Sequence, residues 1–402
     1  MNIAMDLIRE ALLGGEGGGG GGGGGGESQL GKYDADVMLF DFDGTIIKTY
    51  TKAEFLALDA YPDYPTHKNL TGKKWTYSLA DAKTYVTNNM FLDIGAVYET
   101  TDGTTMVEYY GDVDNFEAGL TFLSSQSNNA VIDWGDGTVE TKGSTAKTTY
   151  THTYAQAGPY TCTISVTAGT ITLSGAQYNG GFGALKEAYS VHKVFIGKDV
   201  LLGNYALSYC HNLEAVMIPE GTGIGGKSYM FSNDVKLKHI TIPTDVTTLG
   251  SSAIASIGIE SICVPKGLTS YGSSSMTALN RLNRITHPAT LSSVPTMTSL
   301  ASCRRAVLPE GITSITGNTF SNSDCLDYFI LPSTITNMGP CLGGCRPVIE
   351  VHLKPTTPPT ISGNQFNFQG GTPTVIYVPA ESLDAYKTAT GFSQYASVMV
   401  GE

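Results

Sequence analysis

The sequence contains few charged residues and no cluster of basic ones. Asp, Glu, Lys and Arg together make up 15% of the 402 residues, and the formal net charge is −12. Binding to nucleic acid requires a basic surface that neutralises phosphates. The composition therefore excludes the usual DNA- and RNA-binding proteins, and we expect no nucleic-acid partner.

Membrane spans, metal motifs and catalytic motifs are missing as well. No apolar run approaches the roughly 20 residues of a transmembrane helix, so we expect no insertion into a membrane. The seven cysteines have neither the spacing of a zinc site nor the density of a disulfide scaffold, which predicts buried thiols. Met1–Leu13 lacks a basic segment and a small-residue cleavage site, so we expect no secretory signal peptide. We predict no catalytic residues and no cofactor.

What the sequence does have is one short phrase that returns at regular intervals. Its full form is Leu213-Glu-Ala-Val-Met-Ile-Pro219, and degraded copies continue the series. The copies end at Pro219, Pro243, Pro265, Pro288, Pro309, Pro332, Pro355 and Pro379. These prolines are 24, 22, 23, 21, 23, 23 and 24 residues apart. A period of this size predicts a solenoid, in which each unit buries its apolar side against its neighbours.

The phrases resemble the BspA-type leucine-rich repeats of gut bacteria and their phages. The resemblance implies a repeat solenoid over residues 191–373, a strand and helix cap over residues 374–402, and a rigid display surface. Strand alternation predicts that Leu213, Val216 and Ile218 point inward. The outward column is a candidate binding surface, and it consists of Met217, Thr241, Thr286, Val307 and Ile330. An apolar column of this kind suits packing against a neighbouring subunit equally well.

The first 31 residues combine a short helical pattern with a glycine tract. Met1–Leu13 places its apolar residues on one stripe of a helix, and thirteen residues are marginal as an isolated helix. We therefore predict an N-terminal docking helix that inserts into a partner or bundles with its own copies, with a frayed terminus or a partial leader as the alternative. Its candidate assembly residues are Ile3, Leu7, Ile8 and Leu12. Residues 14–31 include ten consecutive glycines and predict a flexible tether, unless several chains pack these tracts together.

Residues 32–95 begin with an apolar strand followed by Asp41-Phe-Asp43-Gly-Thr. This resembles the first motif of haloacid-dehalogenase-type phosphatases, which implies that Asp41 is a phosphoryl nucleophile, Asp43 a general acid/base, and both hold Mg²⁺. That superfamily needs a doubly wound parallel sheet, whereas this stretch shows two helical segments and few β runs. We therefore favour a strand and a tight Asp-Gly turn in a small α+β adaptor module.

Residues 96–172 change to the alternating pattern of β-strands. Trp134-Gly-Asp-Gly-Thr138 and the later His152-x-Tyr154-x-x-x-Gly-x-Tyr resemble the polycystic-kidney-disease (PKD) type immunoglobulin-like domain. The resemblance implies a β-sandwich with Trp134 in its core. We expect Asp133 and Asp136 to cap the turn, because two carboxylates supply too few oxygens for Ca²⁺. A Gly-rich connector, residues 173–190, leads to the repeats.

The predicted protein is mainly β, multidomain and non-enzymatic. We predict a phage or prophage virion protein, a head or tail fibre or decoration. Its docking helix would bind other virion proteins, and its repeats would bind a host surface protein or glycan. A homo-oligomer, with a trimer as one option, would order the helix and the glycine tract. One alternative is a BspA-type adhesin on the bacterial cell surface, and a second is a Mg²⁺-dependent phosphatase that uses Asp41 and Asp43.

Overall fold

The computed structural model describes residues 33, 35–88, 91–175, 183–186, 188–291, 293–315, 319–323, 325–339, 341–345, 348–361 and 373–402. The predicted docking helix with Ile3, Leu7, Ile8 and Leu12, and the glycine tether, lie outside these residues. Residues 35–402 form one compact unit. Strands dominate it, and the α-helices of the described part are α1 (Lys52–Leu56), α2 (Leu79–Asn88) and α3 (Leu383–Thr388). None of the described helices is long and apolar enough to cross a membrane.

A small mixed sheet forms the first part of this unit. Its strands are β1 (Val37–Phe40), β2 (Ile46–Tyr50), β3 (Leu70–Trp75) and β4 (Leu92–Thr100). Their order is β2-β1-β4-β3, and only the β1–β4 pairing is parallel. Strand β4 runs across the predicted module boundary at residue 95. We call residues 35–100 the docking module.

Seven further strands build two sheets around a common core. They are β5 (Thr105–Gly111), β6 (Phe116–Ser124), β7 (Ala130–Asp133), β8 (Val139–Lys142), β9 (Thr148–Tyr154), β10 (Gly158–Val166) and β11 (Ile171–Leu173). Strands β5, β10, β7 and β8 pair in that order, while β6 pairs with both β9 and β11. Trp134 is fully buried in this core, as predicted. Asp133 and Asp136 accept hydrogen bonds from Gly135 N and Thr138 N at 2.9 and 3.0 Å, which confirms their role in the turn.

The remaining strands belong to the repeats and to the end of the chain. In chain order they are β12 (Leu185–Lys186), β13 (Val191–Phe195), β14 (Val200–Leu202), β15 (Ala215–Met217), β16 (His239–Thr241), β17 (Thr248–Leu249), β18 (Ser261–Cys263), β19 (Ser270–Tyr271), β20 (Arg284–Thr286), β21 (Arg305–Val307), β22 (Ser314–Ile315), β23 (Tyr328–Leu331), β24 (Asn337–Met338), β25 (Glu350–Leu353), β26 (Thr360–Ile361), β27 (Val375–Val378) and β28 (Met399–Gly401). Most of these strands fall into two rows. The longer row pairs in parallel and consists of β13 with β15, β16 with β18, and the continuous set β20-β21-β23-β25-β27-β28. The shorter row consists of β17 with β19 and the set β22-β24-β26. The strands that precede the repeat prolines, from Pro219 to Pro379, stay short because proline has no N–H for the ladder.

The two-sheet region closes the first end of the repeats directly. Strand β13 pairs antiparallel with β5, β14 pairs parallel with β11, and β12 pairs with β6. One apolar core consequently runs from Val107 to Met399. The described part of the predicted connector, residues 173–190, is therefore largely integrated into these sheets and is not a free linker.

Stacking also imposes one backbone turn on every unit. A left-handed residue recurs at intervals of about one repeat, at Tyr209, Asn233, Ser256, Ala278, Ser299, Asn322 and Gly344. Only glycine adopts this conformation without steric cost, yet a tyrosine and an alanine also adopt it here. Neighbouring backbone bonds tie each turn to the next unit, for example from Phe231 N to Ala253 O at 3.0 Å. The turn is thus fixed by contacts between units.

The inward positions match the sequence prediction. Leu213, Val216 and Ile218 are buried in the continuous core. All seven cysteines are free thiols, and all except Cys325 are buried. At the far end, α3 and strand β28 cover the last repeat, with Tyr386 and Phe392 in the core.

Candidate binding face of the repeat array

The longer row of repeat strands has an outer face that points away from the solenoid core. Strand pairing aligns its residues in register, so that Thr286, Val307 and Ile330 lie side by side and are followed by His352 and Tyr377. The binding surface predicted from the sequence lies on this face. Its alternation is confirmed, because Met217, Val307 and Ile330 belong to apolar clusters separate from the solenoid core.

None of the residues proposed for this binding surface is exposed to solvent. Met217 and Ile330 are each only 1% exposed, and the whole buried set is Met217, Thr241, Thr286, Val307 and Ile330. The physical reason is that the docking module lies across this face, with β4 against β15, β16, β18 and β20. Met217 packs in the module's own core, and Phe91 covers Val307 and Ile330. These side chains are therefore closed to a ligand from solvent.

A buried ion pair fastens the docking module to the middle of the array. Arg284 of β20 and Asp93 of β4 are 2% and 1% exposed. Arg284 Nε donates to both Asp93 carboxylate oxygens at 3.0 and 3.2 Å, and Nη2 donates to the same carboxylate. The guanidinium also donates to Ala35 O and lies 4.9 Å from the centre of the Phe91 ring. Such a pair needs this full set of partners, because burying either charge alone is very costly.

A buried histidine lies beneath the first strand of the module. His239 Nδ1 is 2.7 Å from Ser261 Oγ, and Nε2 is 2.9 Å from Thr241 Oγ1. Its ring stacks on Phe40 with a centroid distance of 5.2 Å. Burial lowers the pKa of His239 to about 3, so the imidazole is neutral at physiological pH. The docking module thus turns an outward histidine into a core residue.

A close backbone contact and two hydrogen bonds also join the docking module to the repeats. A side chain on Gly95 would collide with Thr241, since an added Cβ would lie 2.6 Å from Thr241 Cγ2. Tyr85 Oη donates to His287 O at 2.7 Å. At the rim, Lys266 Nζ donates to Asp81 at 2.6 Å.

The Asp41–Asp43 motif serves the turn that sequence analysis favoured. Asp41 N donates to Thr45 O at 2.9 Å, and Asp43 Oδ1 accepts from Thr45 N at 2.9 Å. Asp41 is buried, and its Oδ2 lies 2.7 Å from His67 Nε2. The sheet around the motif is four-stranded with one parallel pairing, so it differs from the phosphatase sheet. Nowhere in the described ranges do three His, Cys, Asp or Glu side chains come together as metal ligands.

The same outer face continues past the docking module and stays accessible there. We call it the open face, and it consists of Tyr328, Glu350, His352, Tyr377, Val400 and Glu402. Val400 is 46% exposed, and the other side chains keep partial exposure. The ring of His352 stacks on Tyr377 at 4.6 Å and lies 5.1 Å from the ring of Tyr328. The open face therefore presents aromatic rings beside two carboxylates.

The carboxylates control the charge of the open face. His352 Nδ1 lies 3.1 Å from Glu402 Oε1, and Nε2 lies 3.4 Å from Glu350 Oε2. Burial lowers the pKa of His352, but the hydrogen bonds to Glu350 and Glu402 outweigh it and raise the pKa above its usual value. With two carboxylates around one histidine, the group has a net negative charge whether or not His352 is protonated.

Sequence reasoning missed both the covering module and the open face. The contacts that make the cover join residues far apart in sequence, such as Asp93 and Arg284. A signal was present, because an outward column of Met, Val and Ile suits packing better than exposure to water. The change to His352 and Tyr377 at the later outward positions marks the point where the cover ends.

Comparison with known proteins identifies the repeats. A model described as a BspA type leucine rich repeat region matches in six copies, over residues 200–303, 224–345 and 298–369. No curated protein matches the chain. Among solved structures, a leucine-rich repeat protein from Bacteroides ovatus is similar, at 18% identity and a TM-score of 0.42, with 52% of this chain and 67% of that chain covered. Residues 200–369 are a BspA-type leucine-rich repeat region.

Proposed function

We propose that the protein is a non-enzymatic adhesion protein whose open face binds a ligand on a cell surface. BspA-type repeats suggest a surface or adhesion-type protein. The observation that carries the proposal is the His352–Tyr377 stack on strands β25 and β27, beyond the covered part of the outer face. Rigid aromatic side chains supply most of the binding energy in many interfaces, since they bury large area at low entropic cost.

The chemistry of the open face narrows the kind of ligand. Tyr328 and Tyr377 offer ring faces, while Glu350 and Glu402 offer acceptor oxygens next to them. A matching ligand presents an apolar surface beside hydrogen-bond donors or a positive charge. A surface glycan and a segment of a surface protein both meet this description.

A bacterial cell-surface adhesin is the setting that the repeats favour. A phage or prophage virion protein, with a homo-oligomer formed through residues 1–13, is the second candidate, and it rests on the order of helical stripe, glycine tract and repeats in the sequence. In either setting we infer that strands β5 to β11, which correspond to the predicted residues 96–172, form a PKD-type domain. The direct pairing of β5 with β13 supports its use as the rigid first end of the array.

The test is binding of the purified full chain to printed glycans and to purified surface proteins. We expect Tyr377→Ala and His352→Ala to weaken binding by about tenfold or more, the loss typical of an interface hot spot. Tyr110→Ala is the matched control, because Tyr110 is 49% exposed on β5, away from the open face. Unchanged binding by both open-face variants would reject the proposal.

A further inference from the structure

A cleft of about 550 Å³ opens where the docking module meets the loops of the repeats. We call it the seam cleft, and its main lining residues are Tyr61, Tyr64, Trp75, Asp81, Thr244 and Lys266. The first four belong to the docking module, and the last two follow strands β16 and β18. Its volume lies within the range of roughly 300–1,000 Å³ found for small-molecule sites. The cleft is separate from the open face, which lies on strands β23 to β28.

One wall of the seam cleft is a set of aromatic rings. Tyr64 stacks on Trp75 at 5.0 Å with an interplanar angle of 20°, and Tyr61 lies 5.1 Å from Trp75 on another side. The Tyr61 hydroxyl donates to Tyr77 O at 3.2 Å, which fixes that ring. Gly72 allows Tyr64 to lie against β3, because an added Cβ would be 2.7 Å from Tyr64 Cβ. The wall is therefore held in place before any ligand arrives.

Unlike the Tyr61 hydroxyl, two polar atoms of this wall have no partner in the described part of the protein. Within the described residues, neither Tyr64 Oη nor Trp75 Nε1 makes a hydrogen bond, and neither atom is sealed from solvent. Tyr61 and Tyr64 are only half-buried. Core aromatic residues usually satisfy such groups internally. Here they remain free to bond to a bound molecule.

Two ion pairs lie beside the aromatic wall, at the boundary between the docking module and the repeats. Lys266 Nζ lies 2.6 Å from Asp81, whose other oxygen accepts from Ser78 Oγ at 2.8 Å. Lys74 Nζ lies 2.5 Å from Glu220, which also accepts from Thr244 Oγ1. Each pair joins a residue of the docking module to one of the repeats. Lys73 also lines the cleft and lies 3.0 Å from Glu99. Because each of the three lysines has a carboxylate partner, the border supplies both donors and acceptors without net charge.

We propose that the seam cleft is a binding site for a neutral oligosaccharide. A sugar ring places its C–H face on Tyr64, and its hydroxyls bond to the ammonium groups, the carboxylates and the free indole N–H. An anionic ligand would meet Asp81 and Glu220, and a cationic ligand would meet Lys74 and Lys266. A fully apolar ligand would remove water from both ion pairs without replacing its hydrogen bonds. A neutral polyol with an apolar face avoids all three costs.

The experiment is calorimetric titration of the full chain with neutral gluco-, galacto-, manno- and xylo-oligosaccharides. At least one series should bind. Tyr64→Ala should weaken that binding by about tenfold or more, because it removes the ring on which the sugar stacks. Tyr64→Phe keeps the ring and should stay within about threefold of the wild type. Tyr110→Ala is the control and should bind the sugar normally, because Tyr110 is 49% exposed on β5 and does not line the cleft.

Lys266→Met keeps the test decisive if Tyr64→Ala fails to fold, since Lys266 is largely exposed. This variant removes one donor of the cleft and should weaken binding about fivefold, the loss of one ordinary hydrogen bond. No binding of any neutral series overturns the proposal, as does binding that both Tyr64→Ala and Lys266→Met leave unchanged. Selective binding of acidic or basic oligosaccharides alone also overturns it. None of these results bears on the open face, which has its own variants.

Discussion

The outer face of the longer strand row is covered by the docking module in one part and open to solvent in another. A histidine in each part shows how the cover changes the pKa of a side chain. His239, beneath the docking module, has a pKa lowered to about 3 by burial. His352, on the open face, is buried less completely, and its two carboxylate partners raise its pKa. Both side chains leave the solenoid on its outer side, from short parallel strands of the same row. The difference arises from the cover and not from the repeat.

The comparison shows how one strand face of a repeat array can be a packing scaffold in one part and solvent-accessible in another. Under the docking module, outward residues act as core and hold residues 35–100 in place. Beyond it, the same positions carry aromatic and titratable side chains. The length of the cover thus determines how much of the face is available to a ligand, and the predictions below test this division.

The largest effect is expected from the buried ion pair. Arg284→Ala leaves Asp93 charged and unpaired in the interior, which should lower the free energy of unfolding by about 3–5 kcal/mol. Urea denaturation of both proteins measures it. Arg304→Ala is the matched control, because the Arg304–Asp327 pair is about one-third exposed on each side, and it should cost at most about 1 kcal/mol.

Replacing both charged residues with apolar ones should reduce the loss of stability caused by Arg284→Ala. The double variant Asp93→Leu with Arg284→Met removes both charges, so it should be more stable than Arg284→Ala alone. If Arg284→Ala cost no more than Arg304→Ala, the module would not depend on this ion pair, and the covered half would resemble the open one.

A smaller effect is expected where the module's backbone touches the array. Gly95→Ala forces a Cβ into Thr241 and should cost about 1–3 kcal/mol, the usual range for overpacking. Gly225→Ala is the control, because the nearest atom to its added Cβ is 3.8 Å away. Thermal melting of the two variants compares them. Equal melting temperatures would place Gly95 outside the contact.

Acid should weaken the covered half. His239 has an ordinary pKa of 6.5 when unfolded and about 3 when folded. Below pH 6.5 the unfolded chain binds a proton that the folded chain does not, so stability falls as the pH falls. The expected loss is about 1.4 kcal/mol at pH 5.5. A His239→Gln variant should lose less between pH 7 and 5.5 in urea denaturation, and an identical pH profile would contradict the assignment.

The open face should show the smallest effect, with the opposite sign. The folded pKa of His352 is raised, so its stabilisation is complete below pH 6.5 and is lost as the pH rises through the folded pKa. Because Glu402 is 45% exposed, the loss should be only a few tenths of a kcal/mol. Comparison of wild type with His352→Gln at pH 6 and pH 9 measures it. A larger advantage of the wild type at pH 9 would refute the sign.

The repeats could be predicted from the sequence because their signal is local and periodic. Leu213, Val216 and Ile218 face the core because strand geometry alternates side chains, and the period fixes which strands are neighbours. The turns around Asp43 and Asp136 were also predictable, since short polar side chains bond to their own backbone.

The cover could not be predicted in this way. Asp93 contacts Arg284 and Tyr85 contacts His287, at separations of 191 and 202 residues, and no periodic pattern links them. Burial of Arg284 is also contrary to the usual preference of arginine for the surface. The open face could be identified only after the extent of the docking module was known, because it is the part of the outer face that the module leaves uncovered.

The division between covered and open halves is tested most directly by hydroxyl-radical footprinting of the intact chain with mass spectrometry. Methionine oxidises readily when solvent reaches it, which makes Met217 a sensitive reporter of the cover, and the partly exposed Met106 of β5 is an internal standard. We predict that Met106, His352 and Tyr377 become modified while Met217 stays protected. Oxidation of Met217 as fast as Met106 would contradict the account.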